Sequence, residues 1–429
     1  MYMMVRVAIV AVAMVAMSVD ALAGKIKGAE AGVLRLDYVF AGSAGEKPVV
    51  ALKRVVSQPD RHVDLTGRVR QLPLDGNGRV SVVDPVSLDT LYRQSFSSLF
   101  HEWMQTGDST WRAYEHSMII PVPEREVKVC LELTNERRRV MARHEARVNP
   151  EDILTRPVRN PGYDTVWINR ATYPGRHIGV AILAEGYTRG EMAHFERRAR
   201  ETVEALFAHE PFSTYADRFD IVAVKTPSDS SGVSVPRDGK WRETAFGSHF
   251  STFYSDRYLT TPNVFAIHDA MGGVPAEHII ILANEETYGG GGIFNSYTLT
   301  AADNKYFEPV VVHEFGHSFG GLGDEYFYEN DVMSDSYPLD VEPWEPNITT
   351  LVDFDSKWAD MMDETTPVPT PRAAKGEITP SVGVYEGGGY STHGVYRPAD
   401  YCRMRVNDID HFCPVCRRAI ERLILYYTE

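Results

Sequence analysis

The stretch that organises the chain is an apolar run followed by a histidine-containing pattern: residues 310–326 read V-V-V-H-E-F-G-H-S-F-G-G-L-G-D-E-Y. At its centre, His313, Glu314 and His317 form the pattern H-E-x-x-H. On an α-helix, residues four positions apart lie on one face, one turn apart, so both imidazoles can bind a single ion. Neutral imidazoles suit zinc, and the glutamate beside them can take a proton from water. The pattern therefore predicts a helix that carries a zinc site.

A catalytic zinc is held by three protein ligands, so a third ligand is expected soon after His317. The glycines at 320–321 can end the helix, because glycine readily adopts the left-handed conformation that reverses a chain. The reversal would bring Asp324 to the metal, with Glu325 as the alternative. The longer pattern H-E-x-x-H-x-x-G-x-x-H is kept through its glycine. Gly323 then occupies the place of the third ligand, so the carboxylate arrives one residue late.

The first 23 residues have the form of a secretory signal peptide. Arg6 precedes an almost uninterrupted apolar run at residues 7–19, and residues 21–23, Ala-Leu-Ala, match an A-x-A cleavage site. The run is shorter than the roughly 20 residues that span a bilayer. We expect cleavage after Ala23 and export, without membrane insertion, to the periplasm or the extracellular medium.

The charge of the chain limits its partners. The formal net charge is −15, and removal of residues 1–23 leaves it unchanged because Arg6 and Asp20 cancel. An acidic chain disfavours nucleic acid and anionic membranes as partners. The hydrophobic content of 43% is that of a globular protein with real cores.

Residues 24–157 are expected to form an all-β sandwich. Apolar and mostly polar residues alternate at residues 34–40 and again at residues 126–133, and the turn Asp-Gly-Asn-Gly at residues 75–78 separates such runs. The aromatic-rich stretch 91–103 is expected to pack against the following domain, because large aromatic side chains are usually buried. A binding surface is the alternative for this stretch.

Residues 158–429 have the pattern of an α/β (α+β) domain. Short apolar strands are predicted at residues 177–183, 219–224 and 278–282. The capping-box pattern T-x-x-E at residues 188–191 opens a helix between the first two. Strands that alternate with helices indicate a largely parallel sheet, against which the metal-binding helix should lie. The four glycines at residues 289–292 are expected to form a sheet edge that a substrate backbone can approach.

The cysteines allow three interpretations. Cys402, Cys413 and Cys416 cluster near the C-terminus, whereas Cys130 is far away. The C-x-x-C pattern lacks the β-α-β setting of a redox motif. Export permits disulfides, so a bridge from Cys402 to Cys413 or Cys416 is expected. A second zinc site is the alternative, although two further ligands are not evident from the sequence.

Residues 313–326 closely resemble the IgA peptidase family of zinc metallopeptidases, which are metzincin-like. Stretch 91–103 resembles the β-sandwich that precedes the peptidase domain in many members. Further segments that resemble the family lie at residues 185–188, 244–248, 288–295, 302–304, 386–390, 396–398 and 412–416. The resemblance therefore covers nearly the whole chain after residue 23.

The resemblance implies a multidomain, secreted zinc endopeptidase that acts on a protein or peptide substrate. His313 and His317 would bind Zn²⁺, and Glu314 would be the general base for a metal-activated water. The scissile sequence is not implied, because cleavage of immunoglobulin is a property of particular members. Oligomeric state and additional calcium are likewise not predicted.

Four further residues are candidates for the site. Met404 is expected in a methionine turn beneath the zinc, as in metzincins. Tyr390 and Tyr396 are candidate oxyanion donors, because both lie in the glycine-rich region before Met404, and a structural role is the alternative for each. Glu386 is a distant alternative for the third ligand.

Two other functions fit the same sequence. A zinc amidase that acts on cell-wall peptides or small amides would use identical motif chemistry. A catalytically idle protein that binds a surface ligand through its β-sandwich would have lost its metal. Substrate screening separates the first from an endopeptidase, and metal content separates the second.

Overall fold

The computed structural model describes residues 25–69, 72–327, 337–371 and 381–429. The predicted signal peptide, residues 1–23, lies outside the described residues. Among the residues that are described, none of the helices combines the length and the apolar character needed to cross a membrane.

The N-terminal part of the chain forms two four-stranded sheets. Its elements are β1 (Val33–Gly42), β2 (Val49–Gln58), β3 (Gly78–Val83), β4 (Thr90–Phe96), α1 (Leu99–Gln105), β5 (Arg112–Pro121), β6 (Val127–Thr134), β7 (Val140–Val148) and β8 (Arg156–Pro157). One sheet has the order β5-β1-β2-β8 and the other β4-β3-β6-β7. Alternate residues of both sheets, such as Leu36 and Tyr38 of β1 and Leu131 of β6, bury their side chains in one shared core.

Helix α1 was not expected in a segment predicted to be all-β. It begins where the Ser98 hydroxyl accepts a hydrogen bond from the His101 backbone N–H, which is a helix N-cap. Phe100 and Trp103 of this helix are buried. The Trp103 ring lies 5.9 Å from that of Phe253, in the C-terminal part of the chain. The aromatic-rich stretch therefore packs against the following part of the chain, as expected.

The C-terminal part contains a six-stranded mixed sheet. Its elements are β9 (Thr165–Asn169), β10 (Ile178–Glu185), α2 (Met192–Phe207), β11 (Phe219–Val224), α3 (Val264–Ala270), β12 (His278–Ala283), β13 (Gly290–Ile293), β14 (Tyr297–Ala301), α4 (Phe307–Ser318), β15 (Tyr385–Gly388), β16 (Ser391–Arg397) and α5 (Pro414–Thr428). The strand order is β13-β14-β12-β10-β11-β9, and β15 and β16 form a separate hairpin. The four inner strands run parallel, and both edge strands are antiparallel to their neighbours. The prediction of a mixed fold with a largely parallel sheet is confirmed.

Both faces of this sheet are covered. Along β10, Val180 and Ile182 face a core that includes α2, α4 and α5, whereas Ala181 and Leu183 face a second core that includes α3. Strands buried on both faces have the continuous apolar sequence typical of parallel sheets. Helix α4 therefore lies on one face of the sheet, against its β13–β14 edge, where the Thr298 hydroxyl of β14 donates to the Glu314 carbonyl.

Candidate metal centre and cleft

The end of α4 returns the chain to the helix face that carries the histidines. The Gly321 N–H donates to the His317 carbonyl and the Leu322 N–H to the Gly316 carbonyl, at 2.9 Å and 3.2 Å. Gly321 has a φ of 59°. The bond from the left-handed Gly321 to the carbonyl four residues back is the αL motif of helix ends, which requires a residue without strain at positive φ. The glycine pair thus reverses the chain as expected.

The reversal brings three ligand atoms together. The Nε2 atoms of His313 and His317 are 3.0 Å apart. The Oδ1 atom of Asp324 lies 3.0 Å from the first and 3.2 Å from the second. Ligands about 2.05 Å from a tetrahedral zinc ion are about 3.3 Å from one another. The observed triangle therefore has the size of one face of such a site.

The outer hydrogen bonds of the two histidines orient their Nε2 atoms towards the centre of the triangle. The Nδ1–H groups of His313 and His317 donate to the backbone carbonyls of Arg403 and Leu322, at 3.0 Å and 2.5 Å. In the neutral tautomer each Nε2 therefore carries a lone pair, and the buried Asp324 Oδ1 faces both of these atoms. Three lone pairs that face one point repel one another unless a cation lies between them, so the donor set fits a metal ion.

The shifted pKa values of His317 and Asp324 also indicate that a positive charge belongs between these residues. Burial disfavours a charged imidazole, but the Asp324 carboxylate outweighs this effect and raises the pKa of His317 to about 9. Burial also opposes ionisation of Asp324, and the two histidines nevertheless hold its pKa well below the usual range. A proton on His317 and a metal ion at this point are alternative ways to balance the same carboxylate.

Glu314 lies beside the triangle, against the glycine-rich strand. A Cβ atom at Gly290 would lie 2.9 Å from Glu314 Oε1, and one at Gly292 would lie 2.2 Å from the Glu314 carbonyl oxygen. Burial raises the pKa of the Glu314 carboxyl. On its other side, Gly290 is hydrogen-bonded to residues 257–259. At Gly290 the space is therefore used by α4 and by residues 257–259. All four glycines at residues 289–292 nevertheless line the cleft, and the approach of a substrate to this edge stays a prediction.

Met404 packs beneath the helix between the two histidines. Its side chain is buried, and its Sδ atom would be 2.7 Å from a Cβ atom at Gly316. The Met404 carbonyl also accepts a hydrogen bond from the Glu325 N–H at 2.9 Å. The methionine therefore contacts both the helix that carries the histidines and the segment that carries Asp324.

The other candidates occupy different places. The Tyr390 hydroxyl donates to Asp324 Oδ2 at 2.5 Å and lines the cleft. Tyr396 lies outside the lining and pairs with Thr349 through its backbone. Glu386 is on the exposed side of the β15–β16 hairpin, where it accepts from the Gly394 N–H. The Glu325 side chain points away from the histidines into the cysteine cluster.

The triangle lies on the floor of a cleft of about 840 Å³, within the roughly 300–1,000 Å³ range of ligand pockets. One wall comes from the N-terminal part of the chain, where Glu102 of α1 accepts a hydrogen bond from the Tyr258 hydroxyl at 2.5 Å. Burial raises the pKa of Glu102 to about 7. Stretch 91–103 was expected to pack against the following domain, with a binding surface as the alternative, and nothing in its sequence indicated that Glu102 lies at the site.

A helix that presents two histidines, with a returning carboxylate at the floor of a cleft, defines a site of the metallopeptidase class. The family model described as IgA Peptidase M64 matches residues 166–380 and 372–424. A second model, described as Peptidase M64 N-terminus, matches residues 27–145. The chain therefore belongs to the IgA peptidase M64 family, and is a hydrolase of the metallopeptidase class with protein as its substrate. No curated protein matches the chain.

Proposed function

We propose that the chain is an exported, zinc-dependent endopeptidase with its active site at the His313–His317–Asp324 triangle. The observation that carries the proposal is the convergence of three metal-ligating atoms within 3.2 Å of one another beside the Glu314 carboxylate. Two imidazoles and one carboxylate are a common ligand set for catalytic zinc, which keeps one coordination position open.

When bound, zinc would supply a Lewis acid that polarises the scissile carbonyl and lowers the pKa of water to about 7. Glu314 accepts the proton of the attacking water on its carboxylate and then delivers it to the leaving amine. Tyr390 donates its one hydroxyl hydrogen to Asp324 Oδ2. Because the residue lines the cleft beside the ligands, it is the candidate donor to the oxyanion once this O–H rotates away from Asp324.

The architecture that we propose has an N-terminal β-sandwich at residues 24–157 and a metzincin-like catalytic domain at residues 158–429. The shared core of the two N-terminal sheets supports the first assignment. The position of Met404 under the helix, between the levels of His313 and His317, supports the second. In this arrangement the sandwich supplies one wall of the cleft and thereby contributes to the choice of substrate.

Export of the protein is the third part of the proposal. It rests on residues 1–23, whose charge, apolar run and small-residue site have the form of a signal peptide. Intact-mass measurement of the protein secreted by an expressing bacterium should give a chain that begins at Gly24. A cell-associated protein that retains Met1 would contradict export.

The experiment that tests the peptidase assignment compares the zinc-loaded protein with the Glu314→Gln variant on a library of unfolded-protein peptides. Glutamine keeps the shape of the side chain but cannot take a proton, so the variant should keep its metal and lose turnover. We expect a loss of at least about 10²-fold, the lower end of what a general base contributes. Metal content is measured on both proteins.

The same experiment separates the competing functions. Cleavage of peptides by the parent alone establishes an endopeptidase and reports its sequence preference. Hydrolysis of small amides or cell-wall peptides, without cleavage of the library, would replace the proposal by an amidase. A purified protein without metal and without either activity would indicate an idle binding protein, and equal cleavage by the variant would exclude Glu314 as the base.

A further inference from the structure

A second group of metal-ligating side chains lies under the active site, and the proposed reaction does not use it. Glu325, Cys402, Cys413 and Cys416 are fully buried or nearly so, and one ligand atom from each lies within 4.8 Å of all the others. All three cysteines are free thiols. The disulfide expected from the sequence is therefore not formed, and the sulfur atoms converge on a carboxylate instead.

The distances in this cluster match a metal site rather than a disulfide. The Sγ atoms of Cys402 and Cys416 are 3.8 Å apart, whereas a disulfide needs about 2.05 Å. Two thiolates about 2.3 Å from a tetrahedral zinc ion are about 3.8 Å apart. The Glu325 Oε1 atom lies 3.1 Å from Cys416 Sγ and 3.9 Å from Cys413 Sγ, on either side of the roughly 3.5 Å expected for a mixed sulfur–oxygen edge.

One carboxylate oxygen of Glu325 has no partner among the described residues. Its side chain has no exposed surface, and Oε2 has no hydrogen-bond partner within the described ranges. Asn347 donates to Oε1 at 3.0 Å. A carboxylate in an apolar core is costly unless it is paired or coordinates a metal. A cation among the three sulfur atoms would provide that partner.

The backbone around the cysteines is arranged to stabilise thiolates. The N–H groups of Met404 and Cys413 point at Cys402 Sγ, at 3.4 Å and 3.3 Å. Cys413 is the N-cap of α5, and Cys416 lies in its first turn. The N-terminus of a helix favours a negatively charged group placed there.

We propose that Glu325, Cys402, Cys413 and Cys416 bind a second zinc ion with a structural role. A sulfur-rich tetrahedral set selects zinc over magnesium or calcium, which prefer oxygen ligands. Four protein ligands close the coordination sphere, as in structural zinc sites. Binding displaces the thiol protons and involves no oxidation.

The second ion would fix the two segments that hold the catalytic triangle, a consequence that rests on the proposed function. Glu325 directly follows Asp324, and Cys402 directly precedes Arg403, whose carbonyl accepts from His313. Asn347 bonds to both the N–H and the carbonyl of Gly323, at 2.7 Å and 2.9 Å. Loss of the structural ion should therefore weaken metal binding at the triangle, although no residue of the triangle is changed.

The test is metal counting and cobalt spectroscopy on the full protein. We expect two zinc ions per chain, and one in a His313→Ala/His317→Ala variant. Cobalt bound to thiolates gives a strong sulfur-to-metal charge-transfer absorption in the near ultraviolet, which a site with two histidines and one aspartate cannot give. This band should persist in the double-histidine variant and in Cys130→Ser, the control for a cysteine outside the cluster. It should be lost in Cys413→Ser/Cys416→Ser.

The wild-type protein alone decides the question if the cysteine variant fails to fold. One zinc ion per chain without the thiolate band would overturn the proposal, and so would a disulfide between Cys402 and Cys416 in the exported protein. An inactive protein that shows the band would refute the proposed peptidase function and leave the second site standing. An active protein without the band would support the peptidase function and refute the second zinc site.

Discussion

A methyl group added at Gly292 should lower catalytic activity and metal affinity while still allowing the protein to fold. A Cβ atom here would lie 2.2 Å from the Glu314 carbonyl oxygen and 2.9 Å from His317 Cβ. Ordinary van der Waals contact begins at 3.4 Å. The Gly292→Ala substitution therefore requires α4 to move away from β13 by about 1 Å, because both obstructing atoms belong to the helix core and cannot rotate away.

The size of the effect follows from this displacement. A misplacement of about 1 Å in a catalytic arrangement costs on the order of 10²-fold in rate, and overpacking in a tight core costs about 1–3 kcal/mol of folding free energy. The displaced helix carries both histidines and Glu314. We therefore expect Gly292→Ala to fold, with kcat/KM lowered by about 10²-fold and a weaker affinity for the metal.

The assay measures kcat/KM on a peptide cleaved by the parent, zinc affinity against a competing chelator, and unfolding by circular dichroism. Gly190→Ala is the matched control, because the nearest atom to its new Cβ is 4.0 Å away and its φ is ordinary. The control should behave as the parent. A folded Gly292→Ala protein with activity and zinc affinity within about twofold of the control would refute the reasoning, since a displacement of this size should not leave catalysis intact.

Three further outcomes follow from the structure. Tyr390→Phe removes the hydroxyl that donates to Asp324 and should weaken zinc affinity by about 10–100-fold; an unchanged affinity in chelator competition would contradict that role. Glu277→Gln leaves the buried Arg68 guanidinium without its charge partner and should cost about 3–5 kcal/mol in urea unfolding near neutral pH. Burial opposes ionisation of Glu277, but the Arg68 charge outweighs burial and lowers the pKa of the Glu277 carboxyl. The stabilisation is therefore present above the usual glutamate pKa range and is lost as the pH falls through the lowered pKa. A stability difference between parent and variant that does not shrink on acidification would refute this reasoning. Chelation should lower the thermal midpoint in scanning fluorimetry and added zinc should restore it, because a ligand that binds only the folded state stabilises it by mass action.

The sequence predicted those parts of the structure that depend on local periodicity and turn chemistry. The spacing of His313 and His317 required a helix, and the glycines at 320–321 required a reversal, so the triangle could be anticipated. Helix α1 is only two turns long, and its seven residues lie within a stretch of strands, which leaves too little periodic pattern to detect. The glycines of β13 indicate that another part of the molecule or a ligand comes close to the strand. The absence of a side chain does not identify which neighbour occupies the space.

The cysteine cluster could not be predicted because its fourth ligand is remote in the chain. Glu325 comes from the segment after α4, whereas Cys402 and the pair at 413–416 come from the C-terminal region. The sequence therefore showed three thiols near one another and offered a disulfide as their simplest pairing. Only the fold brings a buried carboxylate to them, as the fourth ligand of the proposed zinc site.

Asp324 and Glu325, the two candidates for the third ligand, point their side chains in opposite directions. Successive side chains of an extended segment point to opposite sides. Asp324 points to the histidines, and Tyr326, two residues on, stacks on His313 at 6.2 Å between ring centroids. Glu325, between them, faces the cysteines. Both carboxylates can therefore bind a metal, each a different one, and an inserted residue between them should separate the two sites rather than exchange their ligands.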